Sequence, residues 1–242
     1  GRVIRPLGVA RDLSRFPVAT PTLPPATHTN SYAVGGRRVV LVEPATPYED
    51  EQRAWLAWAL DLRRGGRTID AIVLTHNHPD HVGGSMMGYS IEGVAELLGA
   101  GVEAKVHCQR EESFGIKQVT DIAHSDIVEH RSGDVLEVGA VAITLMHTPG
   151  HTPGSQCFVV DGRLVSGDTL FLDGCGRTDL PGGDPEALYE SVHTKLGTLP
   201  DDTVLYPGHL YSPESSKPLH DVRAHNHVFR FRTKEQWMMM FG

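Results

Sequence analysis

An α/β fold is predicted by three features of the sequence. Short apolar runs of strand length recur along the chain, and two capped amphipathic helices interrupt them. Histidine and aspartate gather beside glycine where the apolar runs end. No repeat, low-complexity tract or linker divides the 242 residues. They are expected to form one domain, residues 1–242, with 1–30 as an extended lead-in and 210–242 as a short C-terminal segment.

The elements follow in order. Residues 1–30 carry Pro17, Pro21, Pro24 and Pro25, which exclude a long helix. Arg38 to Val42 is an apolar run stopped by Glu43-Pro44 and reads as a buried strand. A helix fits Tyr48 to Arg64, with Glu49, Asp50 and Glu51 at its start and Ala54, Trp55, Trp58 and Leu62 on one face. Arg63 and Arg64 suit its negative C-terminal dipole, and Gly65-Gly66 ends it. Ile69 to Leu74 is the next strand, and Ile91 to Leu98 a short helix. Further strands are expected at 104–107, 141–146, 156–160, 163–166 and 203–206. Asp184-Pro185, an N-cap followed by proline at the first helical position, opens a helix running to about Leu196.

Composition removes several classes. Lys plus Arg number 22 against 30 Asp plus Glu, a net charge of −8, which argues against a surface for nucleic acid phosphates. Cys108, Cys157 and Cys175 include no short-spaced pair, which excludes a disulfide scaffold or a cysteine zinc knuckle. No apolar run approaches the roughly 18–20 residues that span a bilayer, and no signal-peptide core follows the start, so cytoplasmic residence without membrane attachment is expected. The unusual figure is 14 histidines, an excess that points to metal.

The second strand runs into Thr75-His76-Asn77-His78-Pro79-Asp80-His81. Imidazole nitrogen and carboxylate oxygen are the donors a zinc-type cation takes. Alternation in extended chain puts His76 and His78 on one side, and the turn at Pro79 brings Asp80 and His81 to a second position. Three more strand ends repeat the arrangement, at His147-Thr148-Pro149-Gly150-His151, Gly167-Asp168 and Pro207-Gly208-His209. One such histidine is more often structural. Four strand ends that all carry His or Asp beside glycine make a shared site the better explanation.

HxHxDH with downstream TPGHTPGS, SGDTLF and PGH resembles the metallo-β-lactamase fold superfamily over nearly the whole chain. The resemblance implies a four-layer αββα sandwich of two mixed sheets with the metal site at strand ends. It further implies His76, His78 and His151 at one metal position, Asp80, His81 and His209 at a second, and Asp168 bridging them. Asp168 stands where some lineages carry cysteine, which argues against a true antibiotic lactamase.

The stretch from Gly167 through Gly174-Cys175-Gly176-Arg177-Thr178-Asp179 resembles the glyoxalase II group, which hydrolyses S-acyl-glutathione thioesters, and equally the persulfide dioxygenases, which use a single iron. The leading expectation is a thioester hydrolase with two Zn2+ per chain, Fe2+ or Mn2+ being alternatives. Two cations about 3.5–4 Å apart lower the pKa of a shared water towards ~7. Asp80 would orient that water, and Arg177 is the second candidate catalytic residue. A mononuclear iron persulfide dioxygenase and a lactone or ester hydrolase are the alternative reactions. The expected partner is a small thiol conjugate, with no nucleic acid and no membrane. The apolar Trp237-Met238-Met239-Met240-Phe241 tail reads as a docking segment or a homodimer contact. Cys175 has no histidine base at a recognisable spacing and reads as packing. His147 reads as support for the site, and His225 and His227 as a pair outside it. His28, His124, His130, His193 and His220 read as surface or supporting groups.

Overall fold

The structure, a computed structural model, describes residues 7–10, 12–19, 28–46 and 48–242. Pro21, Pro24 and Pro25 of the expected lead-in lie outside these. Strands β1 (Leu7–Ala10), β2 (Leu13–Ala19), β3 (His28–Val34) and β4 (Arg38–Val42) form an antiparallel meander. Helix α1 (Glu49–Arg64) then returns the chain to β5 (Thr68–Val73), parallel to β4. Next come the short helix α2 (Pro79–Val82), a hairpin of β6 (Gly84–Met86) and β7 (Tyr89–Ile91), and α3 (Val94–Gly99). Strand β8 (Lys105–Gln109), helix α4 (Arg110–Thr120) and strand β9 (Ile127–His130) complete a seven-stranded sheet ordered β1-β2-β3-β4-β5-β8-β9.

The second sheet takes β10 (Val135–Val138), β11 (Val141–His147), β12 (Gln156–Val160) and β13 (Arg163–Gly167) as a meander. Helix α5 (Pro185–Tyr189) crosses to β14 (Val204–Pro207), parallel to β13, and β15 (Lys217–Pro218) closes the edge. Helices α6 (Leu219–His225) and α7 (Lys234–Phe241) follow.

Alternation along the strands builds four layers. In β4, Val39 and Leu41 face α1 and α3 with Trp55, Ala59, Leu62, Val94 and Leu97, whereas Val40 and Val42 face the other sheet. Ile143, Leu145, Phe158 and Val165 of the second sheet meet them there. The outer face of that sheet, with Cys157, Leu164 and Leu205, is covered by Leu188, Val222 and Trp237. Each fully buried aliphatic or aromatic side chain of these layers contributes about 1.5–3 kcal/mol. The αββα sandwich expected from the sequence is thus present. Among the described residues, no helix is long and apolar enough to cross a membrane.

Two local expectations need correction. Ile91 ends a strand, and the helix expected at Ile91–Leu98 starts at Val94, because Gly93 passes so close to Val82 O that no side chain fits there. The helix from Pro185 is not regular to Leu196. It widens into a π-helix over Glu190–Lys195, where Ser191 Oγ donates to Pro149 O (2.7 Å) and Lys195 Nζ to His147 O (2.6 Å). The lead-in is extended where described, as expected, and its strands pack into the fold: Leu13 and Phe16 are buried and Phe16 stacks on Trp58 with ring centroids 5.2 Å apart.

Candidate metal centre

Strands β5, β11, β13 and β14 all point their C-terminal ends at one rim, and the four histidine- and aspartate-bearing turns meet there. Three overlapping donor groups form among the described residues, one of them Glu43, His76 and His81, and the other two divide the sequence-predicted donors other than Asp168 between them. His76, His78 and His151 make one and Asp80, His81 and His209 the other, each with its donor atoms within 4.8 Å of one another. His78 Nδ1 and His151 Nε2 are 3.0 Å apart, and His81 Nε2 and His209 Nε2 are 3.1 Å apart. Asp80 Oδ2 lies 3.5 Å from His81 Nε2 and 3.3 Å from His209 Nε2. Asp168 stands between the groups. Its Oδ2 is 3.6 Å from His151 Nε2 and 3.1 Å from His209 Nε2, while its Oδ1 is 3.3 Å from His81 Nε2.

The imidazoles are oriented from behind. His151 Nδ1 donates to Arg177 O (2.7 Å), His209 Nδ1 to His28 O (2.9 Å), and His81 Nδ1 to the Glu43 carboxylate. His76 Nδ1 lies 3.0 Å from Thr75 Oγ1. Each of these contacts turns Nε2 inward, the arrangement that fixes the tautomer of a ligating histidine. Glu43 was read from sequence only as a strand stop. It is buried at 1% exposure, holds a left-handed φ of 55°, and accepts from Thr75 N at 2.8 Å and from Thr75 Oγ1 besides binding His81. The signal was available, because Glu43 too is a carboxylate directly after an apolar strand.

Charge within the site is strongly perturbed. Burial alone opposes the charge of His209, but the Asp168 and Asp80 carboxylates reverse that and raise its imidazole to about 10. Burial likewise opposes His81, yet Glu43, Asp168 and Asp80 hold it well above the usual value. His76 is lowered by burial and by His81 and His78 beside it. Burial would raise the Asp168 carboxyl, and His209 and His81 keep it well below its ordinary range instead. His76 Nε2 and Asp168 Oδ1 are buried without a hydrogen-bond partner. Three buried carboxylates, five imidazoles and two orphaned donor atoms are a donor set that fits a divalent cation.

A second carboxylate that the sequence did not reveal supports the loops. Glu112 in the first turn of α4 accepts from Asn77 N (2.7 Å) and Thr152 Oγ1 (2.9 Å) through Oε1, and from Gly154 N (2.8 Å) through Oε2. It thereby ties the segment between His76 and His78 to the loop after His151. His147 stays outside the donor groups and props the same loop, its Nε2 2.8 Å from Pro153 O. His227 pairs with Asp173 (3.0 Å) and His225 Nδ1 donates to Asp221 O (2.9 Å), so neither joins the centre.

A cavity of about 510 Å3 opens on His78, Asp80, His151, Asp168 and His209. Arg177 sits at its exposed rim in a bidentate pair with Asp179, Nε–Oδ1 and Nη2–Oδ2 both 2.6 Å. Burial pushes the Cys175 thiol on the cavity wall up to about 12, so it is no ready nucleophile. Burial and the nearby Asp168 and Asp80 also raise Tyr211, which keeps its hydroxyl proton at neutral pH.

Residues 24–209 match the metallo-beta-lactamase superfamily, and the chain belongs to it. It is 35% identical over 147 residues to the hydroxyacylglutathione hydrolase GloC of Haemophilus influenzae, covering 58% of this chain and 68% of that one. It is 31% identical over 211 residues to the mitochondrial persulfide dioxygenase ETHE1 of Bos taurus, covering 84% and 72%. The crystal structure of ETHE1 from Myxococcus xanthus is similar at a TM-score of 0.70 and 27% identity, over 88% of this chain and 84% of that chain.

Proposed function

We propose that this chain is a metal-dependent hydrolase that cleaves a thioester, converting an S-acyl thiol conjugate and water to an acid and a thiol. The observation that supports this most is Asp168, whose two carboxylate oxygens face donor atoms of both histidine groups. His76, His78 and His151 would hold one divalent cation, Asp80, His81 and His209 a second, and Asp168 would be shared. Zinc is the cation proposed. Such ions polarise the carbonyl under attack and lower the pKa of water.

The chain's own residues do the rest. The Asp80 carboxylate lines the cavity beside the donor atoms and, on this reading, would orient the attacking water and take its proton. Tyr211, which keeps its proton, offers a donor on the same wall. Arg177 acts through its carbonyl, which fixes His151, and presents a guanidinium at the rim where a substrate would pass.

Thiol release from S-lactoylglutathione by zinc-loaded protein tests the reading. His76→Ala and Asp168→Ala should abolish release, and normal turnover in either would overturn it. Metal content by plasma mass spectrometry should approach two equivalents of zinc per chain.

A second reading, a mononuclear iron persulfide dioxygenase, is favoured by the likeness to ETHE1 over 84% of the chain and by Gly174–Asp179. It requires oxygen uptake with glutathione persulfide by iron-loaded protein and about one iron per chain.

A further inference from the structure

The proposed function leaves open what the substrate carries beyond its reacting carbonyl, and the cavity walls address this. Away from the metal donors, two surfaces line it. On one side Phe171 and Tyr211 pack with ring centroids 4.6 Å apart, Phe171 lying 6.0 Å from His209. On the other, the β6–β7 hairpin brings Met86 and Met87, and Leu180 closes a third edge. Met87 is 73% exposed at the hairpin tip, and Tyr89 on the same hairpin is 46% exposed. Tyr89 packs on Tyr48 with ring centroids 6.3 Å apart, which leaves Met87 as the large apolar side chain exposed at the mouth of the site. Methionine pairs are suited to moulding around flexible apolar ligands.

The charges around the cavity point the same way. Apart from the metal donors, its charged lining residues are Arg177 and Asp173. Arg177 is already neutralised by Asp179 and Asp173 faces His227 at 3.0 Å. A glutathione moiety brings two carboxylates and an ammonium, and among the described lining residues no unpaired cation receives those carboxylates.

We infer that this cavity takes a thioester bearing an uncharged, extended aliphatic chain, seated on Met86, Met87, Leu180, Phe171 and Tyr211, in preference to a glutathione conjugate. The chain approaches the metal centre along the aromatic wall, and the hairpin covers its far end. The inference rests on the thioesterase reading for the reacting group, but the apolar seat stands on its own geometry.

The test separates the two. Calorimetry on zinc-loaded protein uses inert thioethers: S-methyl-, S-butyl- and S-octyl-N-acetylcysteamine, and S-methylglutathione. Affinity should rise about three- to fourfold per methylene until the cavity is filled, and S-methylglutathione should bind no better than its N-acetylcysteamine counterpart. Affinity that is flat with chain length, or a preference for glutathione, overturns the inference. The matching thioesters are then assayed for thiol release, with kcat/KM expected to follow the same order. Length-dependent binding without any thioester turnover would leave the apolar seat intact and remove the hydrolase reading. The double variant Met86→Ser/Met87→Ser, placed on an exposed hairpin so that folding is spared, should cut the octyl-to-methyl affinity ratio at least tenfold. An unchanged ratio would overturn the role given to the hairpin.

Discussion

The carboxylate of Glu112 accepts the Gly154 amide proton at 2.8 Å, and that contact joins two metal-donor loops to a helix that carries no donor of its own. A Cβ on Gly154 would lie 2.5 Å from Glu112 Oε2, so the approach depends on glycine. The opposite oxygen accepts from Asn77 N and Thr152 Oγ1. Glu112→Gln replaces an acceptor with an amide that must point its NH2 at one of three donors. We expect a loss of about 2 kcal/mol in stability, read by urea unfolding, together with weaker zinc binding in a chelator competition. An unchanged zinc affinity would show that the loops keep their positions without it.

Glu43 acts on a single imidazole and on the turn before it. Because it sets the inward nitrogen of His81, Glu43→Gln should weaken metal binding by about 10–100-fold. Far-ultraviolet circular dichroism should stay the same, since the neighbouring strand packing is apolar and intact. Metal stoichiometry after dialysis against a weak chelator reads this directly.

A histidine pair away from the centre gives the fold an acid limit. His107 Nδ1 lies 2.8 Å from His130 Nε2, and burial, then His130, lowers His107 from 6.5 to about 4. The unfolded chain therefore takes up a proton at His107 that the folded chain refuses. The stability that depends on the neutral ring is complete above pH 6.5 and drains away as pH falls towards 4, by up to about 3 kcal/mol. Comparing unfolding midpoints of metal-stripped wild type and His107→Gln at pH 7.5 and pH 5 isolates this share. The variant should lose less on acidification, and an equal loss in both proteins would contradict the assignment.

Trp237 anchors the C-terminal helix. It is fully buried, its Nε1 donates to Pro185 O at 2.8 Å, and its ring packs edge-on to Tyr189 at 5.7 Å. Trp237→Ala should cost about 3–5 kcal/mol, whereas Met239→Ala, at an 82% exposed position, should leave the melting temperature within a degree or two. Thermal unfolding followed by circular dichroism distinguishes the two.

That the candidate donors converge was legible in sequence because each lies within a few residues of a strand end. His76 and His78 follow β5, which ends at Val73, and Asp80 lies in the short helix begun by Pro79. The supports were less legible. Glu112 lies 35 residues from Asn77 and 42 from Gly154, and nothing local in Arg110–Thr120 marks one of its two adjacent glutamates as buried. Strand β10 is a four-residue edge with two exposed positions, too short and too wet for periodicity to reveal. The tail was read as one apolar segment, but the helix divides it, with Trp237 turned inward and Met239 and Met240 outward.

The hairpin that carries Met86 and Met87 is joined to the body at a narrow neck, where Gly83 and Gly93 pass with almost no space between their backbones and Thr46 pairs with Glu92. The metal donors are braced from elsewhere, by Glu43 after β4 and by Glu112 on α4. Of the proposed seat, Met86 and Met87 thus lie on a ribbon that carries none of the seven candidate donors, whereas Phe171 and Tyr211 stand within three residues of Asp168 and His209. Chain-length preference would then be open to change at residues 86 and 87 with the donor turns left as they are, while a change at residue 171 or 211 would disturb the centre as well.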